Sequence, residues 1–260
     1  MELISKFKEW LRSHRNSGNP VIRFGIIGFD LCISIIRRIR LLATDRKASA
    51  IWYMERFQPG RTHQTTAMTW LDRYPDIFRA CRDYFTDRDH IKILSFGCST
   101  GEEVITLRHY FPNAEIVGAE INKNSLRVCK SLHLDDKVHF VNSRTKTIQK
   151  HGPYDAIFCM AVLQRTPHLI ADSNTTDLSQ IYPFEKFEKQ IIELDSFLKE
   201  SGLMIVHLSQ YDLCDTAVYQ RYVPYGDCNQ DHYGPYVFGK DSKIKKTLGH
   251  RHSIFVKKAH

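Results

Sequence analysis

The sequence predicts an α/β fold built on a parallel, doubly wound sheet. Short apolar runs alternate with amphipathic stretches from residue 91 onward, the first run ends in a loop with glycines at 97 and 101, and the second ends in a carboxylate, Glu120. A 260-residue chain with 42% hydrophobic residues is long enough to bury one full core and still carry an extension, so two segments are expected: a helical N-terminal extension and lid over 1–88, and the main domain over 89–260.

Each element has a reading. Residues 91–96 form an apolar run, followed by a helix from about Glu102 whose Val104, Leu107 and Phe111 share a face and which Pro112-Asn113 stops. Strands follow at 115–120, 137–141 and 155–160, with a helix at 122–130 between the first two. Over 184–198, Phe184, Phe187, Ile191, Leu194 and Leu198 recur at helical spacing, and Gly202 is expected to end that helix. A strand at 203–208, a polar tyrosine-rich stretch and a last β-like run at 253–257 complete the chain.

The loop and the acid have a chemical logic. Gly97 and Gly101 permit positive φ and close backbone approach, and the first N–H groups of the next helix are free to meet a ligand. Glu120, nineteen residues after Gly101, would stand at the end of the neighbouring strand, where a carboxylate accepts hydrogen bonds from both hydroxyls of a ribose. The spacing is Gly-x-x-x-Gly, without the second glycine of a Gly-x-Gly-x-x-Gly dinucleotide loop and without Gly-Lys-Ser/Thr, so an adenosine ligand with little or no phosphate fits best.

Ser95-Phe96-Gly97-Cys98-Ser99-Thr100-Gly101, Glu120 and Tyr154-Asp155-Ala156-Ile157-Phe158-Cys159-Met160, in that order, resemble the glycine-rich motif, the ribose-binding acid and the fourth-strand motif of the class I S-adenosylmethionine-dependent methyltransferases. The resemblance runs from about residue 91 to the C-terminus. It implies a Rossmann-like, doubly wound, mainly parallel seven-stranded sheet closed by an antiparallel hairpin, and S-adenosyl-L-methionine as cofactor. It also implies cofactor contacts from Gly97, Cys98, Ser99, Thr100, Gly101, Glu102, Glu120, Ile121, Asn142, Ser143, Met160 and Ala161, with Val162 beside them. Ser143 stands where the family usually has an acid for the adenine amine. Cys98-Ser99-Thr100-Gly101-Glu102-Glu103 is similar to the chemotaxis receptor methyltransferases, but Met160-Ala161 replaces that group's Arg-Asn, so a protein-carboxylate acceptor is only a minor alternative.

The acceptor leaves a fainter trace. Asn-Pro-Pro-Tyr and a Pro-Cys nucleophile are absent, which removes weight from base methylation. In the resembled family the segment before the first strand folds over the cofactor, so 61–75 is the expected lid, with His63, Gln64 and Thr65 near the reacting end. The alternative is a surface helix capped by Thr66 or Thr69. Tyr211, Asp212 and His232 in the tyrosine-rich stretch, which also holds Tyr219, Tyr222, Tyr225, Tyr233 and Tyr236, are candidates for acceptor binding or deprotonation. The other reading packs these tyrosines in a hairpin. His63, Tyr211 and His232 are thus the catalytic candidates. A catalytically inactive binding or regulatory subunit on the same fold is the rival function, and the retention of Gly97, Gly101 and Glu120 favours an enzyme.

Composition narrows the rest. Seven cysteines without Cys-x-x-Cys spacing and thirteen scattered histidines predict neither a disulfide framework nor a metal site, and a reducing, cytoplasmic setting follows. The +8 net charge sits at the ends: residues 1–50 and 240–260 together carry +12 and the middle −4. Without a nucleic-acid module these read as solvated ends, not a phosphate track. Residues 21–36 are strongly apolar between basic flanks, but Arg23 and Asp30 break the run well short of a membrane span. A helix packed on the catalytic domain or on a second copy is expected there, with peripheral membrane contact through residues 20–40 as the alternative.

Overall fold

The computed structural model describes residues 2–88, 90–232 and 236–259, so Tyr233 lies outside the described residues. The chain divides into two compact units, one up to Tyr53 and one from Met54 onward.

The first unit holds α1 (Glu2–His14), α2 (Pro20–Thr44) and most of α3 (Arg46–Phe57). Asn19 starts α2 by accepting from the Val21 amide at 2.9 Å, with Pro20 at the first helical position, where its missing N–H costs nothing. Asp45 ends α2 in an extended conformation and caps α3 through the Lys47 and Ala48 amides at 2.8 and 3.1 Å. Phe7 of α1 meets Phe29 of α2 edge-on at 5.5 Å, and Arg15 pairs with Asp30. Among the described residues no helix is long and apolar enough to cross a membrane.

The second unit is a seven-stranded sheet of β1 (Lys92–Phe96), β2 (Glu115–Glu120), β3 (Val138–Asn142), β4 (Tyr154–Met160), β5 (Leu198–His207), β6 (Tyr222–Pro224) and β7 (Ile254–Lys257), in the order β3-β2-β1-β4-β5-β7-β6. Strands β1 to β5 are parallel, while β7 runs antiparallel to both β5 and β6. The expected seven strands and closing hairpin are therefore present. Strand alternation divides the core between the two faces. Leu94, Phe96, Ile157 and Met204 pack under α9 (Phe184–Phe197), whereas Ile93, Ala156, Phe158 and Ile205 pack under α4 (Pro75–Tyr84), α5 (Glu102–Tyr110) and α6 (Lys123–Lys130). Each fully buried Leu, Ile or Phe contributes about 1.5–3 kcal/mol, so both faces hold the sheet in place.

Three short elements lie outside the sequence reading: α7 (Thr145–His151), α8 (Pro167–Asp172) and β6. Two turns of helix or three strand residues give periodicity too little length to register. The long helix α9 ends at Phe197, not at Gly202. Leu198 already pairs with Tyr154, and a register irregularity between Tyr154 and Ala156 takes up the residues before Leu203. Gly202 instead serves close approach, since a Cβ there would come within 2.8 Å of the Lys199 carbonyl and 2.9 Å of the Asp155 carbonyl.

Candidate functional site

Strand order reverses at β1 and β4, and a pocket opens beyond the carboxyl ends of the strands there. Its space, open mouth included, is about 950 Å³. Register sets the floor: Phe96 pairs with Ala119, Glu120 with Asn142, and Met160 with His207.

The glycine loop is held to β2 by its own amides, with Gly97 N and Cys98 N donating to the Ala119 carbonyl at 2.8 and 3.2 Å. Gly97 has φ +78° and a Cβ on it would lie 2.6 Å from Val162 Cγ2, so conformation and space both demand glycine. Ser99, at φ 51°, is in the left-handed region too, which turns its amide toward Glu120. Glu120 is 6% exposed, accepting from Ser99 N at 2.8 Å through Oε2 and from Asn122 N at 2.6 Å through Oε1. Burial pushes its carboxyl up to about 7, against the pull of those backbone amides. The Ile121 amide also acts on this carboxylate, whose roughly four acceptor directions three amides do not saturate, and the buried Ser99 Oγ has no hydrogen-bond partner. A buried carboxylate with spare acceptor capacity and an orphan hydroxyl in the same wall fit the diol and polar edge of a nucleoside.

The segment before β1 forms the opposite wall. No helix starts at Thr66 or Thr69; residues 63–70 run without regular structure along the pocket until α4 opens at Pro75. Its anchor is α9. Lys186 Nζ donates to the carbonyls of Pro59 and Thr62 at 2.7 and 2.6 Å, and His63 reaches Tyr182 and Gln190. Arg61 donates to the Ser143 carbonyl, linking the segment to the end of β3. At its far end the Arg73 guanidinium lies over the Trp70 ring at 4.2 Å and the Tyr74 ring at 5.0 Å.

Of the residues singled out from sequence, Gly97, Cys98, Ser99, Glu120, Ile121, Ser143, Met160, Ala161, Val162, His63, Gln64 and Thr65 line this pocket. Thr100, Gly101, Glu102 and Asn142 do not. Gly101, at φ +105°, opens α5, and Thr100 Oγ1 is spent on the Glu102 carboxylate at 2.7 Å. Cys98 and Cys159 are buried thiols raised above their ordinary range. The Cys129 hydrogen bond is the chief cause for Cys98 and burial for Cys159, which removes both as nucleophiles.

The catalytic candidates separate. His63 lines the pocket, but both ring nitrogens are engaged, Nδ1 with Tyr182 Oη at 2.7 Å and Nε2 with Gln190 Oε1 at 3.2 Å. Burial and then Lys186 push it down to about 4, so it is neutral and structural. Tyr211 is a core residue: fully buried among Phe184, Phe187 and Phe238, it donates its hydroxyl to the Tyr182 carbonyl at 2.5 Å. Asp212 is bound by Lys245 and Arg251. His232 is exposed and lines a second cavity with His207, Asp227, Cys228 and Asn229, which shares Arg73 and Tyr74 with the first.

Two residues at these cavities escaped the sequence reading. Glu103 lines the main pocket where Glu102 does not, accepting from Ser95 Oγ at 2.6 Å, and burial raises it to about 7 despite Ser95 and Arg73. Its signal was the i, i+3 pair with Thr106, which lines the same wall. His207 ends β5, buried, with Nδ1 2.8 Å from Ser253 Oγ and its ring edge-on to Tyr74 at 4.8 Å. A polar residue closing an apolar strand was its signal.

Comparison with known proteins adds the family. Residues 87–241, more than half of the chain, match the methyltransferase domain family. Among solved structures the chain is similar to the plantazolicin methyltransferase BpumL in complex with SAH (15% identity, 66% of this chain and 58% of that one, TM-score 0.38). It is similar to SAM-bound CalS10, an amino pentose methyltransferase from Micromonospora echinaspora (17%, 60% and 55%, TM-score 0.39), and to PKMT2 from Rickettsia typhi (18%, 54% and 26%, TM-score 0.37). The chain thus spans less than two thirds of the length of each of these structures. No curated protein matches the sequence. With the ordered motifs and the strand order in the same segment as the family match, the chain belongs to the methyltransferase domain family.

Proposed function

We propose that this chain transfers a methyl group from S-adenosyl-L-methionine, bound in the pocket between the glycine loop and residues 61–74, to an acceptor entering past Arg73 and Tyr74. The observation that carries it is Glu120: a buried carboxylate held by backbone amides, with acceptor capacity left beside the orphan Ser99 hydroxyl. S-adenosylmethionine supplies an electrophilic methyl on a sulfonium when bound, so the protein has to orient and to exclude water more than to activate. Glu120 accepts from the ribose hydroxyls. Gly97 lets the backbone lie against the ligand, and Met160, Ala161 and Val162 form the apolar wall. Glu103, in the first turn of α5, offers a carboxylate to the ammonium of the methionine moiety, a position the helix N-terminus also favours for the anion.

The acceptor side is read from the second cavity. His207 is a neutral imidazole pushed down to about 4, mainly by burial, at the wall that shares Arg73 and Tyr74 with the donor pocket. Such a group accepts a hydrogen bond from an acceptor hydroxyl or amine and holds it in line. The cavity favours an acceptor small enough to enter between His207, His232 and Asp227, or the tip of a larger one.

Calorimetric titration with S-adenosylmethionine and its demethylated product tests the reading. Wild type is expected to bind both, and Glu120→Ala to bind at least about tenfold more weakly, having lost two hydrogen bonds to a charged group. Absence of binding by folded wild-type protein overturns it.

A further inference from the structure

The first unit carries a surface that the methyltransferase reaction does not use. On α2, Val21, Phe24, Ile27, Leu31, Ile35 and Ile39 follow one another at steps of three and four residues and so form a single stripe, every one of them exposed and Val21 and Phe24 the most, at 78% and 73%. This stripe is not the side that α1 covers, because Ile26, at 4% exposure, and Phe29, against Phe7, lie on the other flank. From Val21 to Ile39 it extends about 27 Å. An apolar surface of that length standing open on a water-facing helix marks an interaction site.

Charge decides the partner. Arg23 stands at the start of the stripe, and Arg37, Arg38 and Arg40 at its end; among the described residues none of the four pairs with a carboxylate. The one acid in α2, Asp30, is already taken by Arg15. The basic residues at the other end of the chain behave differently: Lys245 and Arg251 are paired with Asp212, and Lys257 with Asp195. In a pairing of two copies stripe on stripe, α2 would offer the arginines no free carboxylate, its one acid being held by Arg15. An anionic bilayer offers what the face lacks, acyl chains under the stripe and phosphates near Arg38, which borders the stripe by helix phase, and Arg23 beside it, whose long stems reach the headgroups.

We propose that α2 lies in the headgroup plane of an anionic membrane, stripe inward, and tethers the methyltransferase to that surface. It lies on the bilayer and does not cross it, as Arg23 and Asp30 and the absence of a long enough apolar helix among the described residues require.

Flotation of the full chain with vesicles of phosphatidylcholine, alone or mixed with phosphatidylglycerol, tests this. Light scattering on the free protein reports its oligomeric state, and circular dichroism with calorimetric titration of S-adenosylmethionine reports folding of the variants. Wild type is expected to float with the mixed vesicles and not with phosphatidylcholine alone. Leu31→Glu with Ile35→Glu, both at exposed positions, is expected to abolish flotation. Reversal of Arg23 and Arg38 to Glu is expected to weaken it by about twenty-five-fold or more, each cation near an anionic surface being worth about fivefold. Three results overturn the proposal: no flotation of wild type with the mixed vesicles, flotation unchanged in Leu31→Glu/Ile35→Glu, or a wild-type dimer that this pair dissociates while vesicles go unbound, which would assign the stripe to a second copy.

Discussion

At the scale of single residues, Gly97 and the two pocket carboxyls give the sharpest expectations. Gly97→Ala places a methyl 2.6 Å from Val162 Cγ2 at a φ of +78°, so donor affinity should fall and stability should drop by about 1–3 kcal/mol in thermal melts. Adding Val162→Ala relieves the contact but not the φ, so recovery should be partial. Glu103 and Glu120, both raised to about 7, make the site proton-linked. Between their ordinary value and about 7 the folded protein holds protons that the unfolded chain has released, so their contribution to stability is most favourable at low pH and falls as pH rises through that window. In the proposed binding mode the donor takes both groups in their ionised form. Binding near about pH 6 should therefore release protons, seen as an apparent enthalpy that changes with buffer, and the effect should vanish well above 7. Glu103→Gln should remove part of the proton release; full release in that variant would exclude Glu103 from the linkage.

At the scale of elements, Asp195 is the joint between α9 and the closing hairpin. It is 2% exposed and accepts from Tyr222 Oη at 2.7 Å, with Arg221 at 2.9 Å and Lys257 at 3.2 Å. Lys257 also donates to the Asp195 and Leu198 carbonyls at 2.7 and 3.0 Å. Removing the acid leaves a buried ammonium without its counter-charge, and Asp195→Ala should cost about 3–5 kcal/mol in denaturant unfolding. A loss below about 1 kcal/mol would show that β6 and β7 are held by packing alone. The segment over the pocket depends on α9 in the same way, through Lys186 and Gln190, with Tyr182 just before the helix. One helix therefore supports both the hairpin and the wall of the donor site.

At the scale of the whole molecule, the donor pocket and the proposed membrane face fall in different segments of the chain. Every residue lining the donor pocket lies between Met54 and Val162, whereas the exposed stripe lies within α2. A chain lacking residues 1–44 is expected to keep its affinity for S-adenosylmethionine, measured by calorimetry, and to lose flotation with anionic vesicles. Loss of donor binding in a folded, truncated chain would show that the two are coupled. The basic ends follow the same division: the N-terminal arginines on α2 are exposed, while several C-terminal cations are consumed in ion pairs that hold the second unit together.

The sequence by itself determined the fold class, the order of the main strands and the donor loop, because these depend on local signals: alternation of apolar runs, glycines where φ is positive, and an acid at a strand end. It placed Gly97 and Glu120 at the pocket for the same reason, since strand ends in a doubly wound sheet converge at one edge. Only the tertiary structure decided among side chains whose neighbours are distant in sequence. Tyr211 looked like an acceptor contact until Phe184, Phe187 and Phe238 closed around it. His63 lost its candidacy to Tyr182 and Gln190, more than a hundred residues away, and Glu103 gained a place that Glu102 had been given because helix phase, invisible in a pair of adjacent acids, turns only one of them to the pocket. Burial and hydrogen bonding are properties of the assembled surface, and a local pattern carries no record of which surface a side chain will meet.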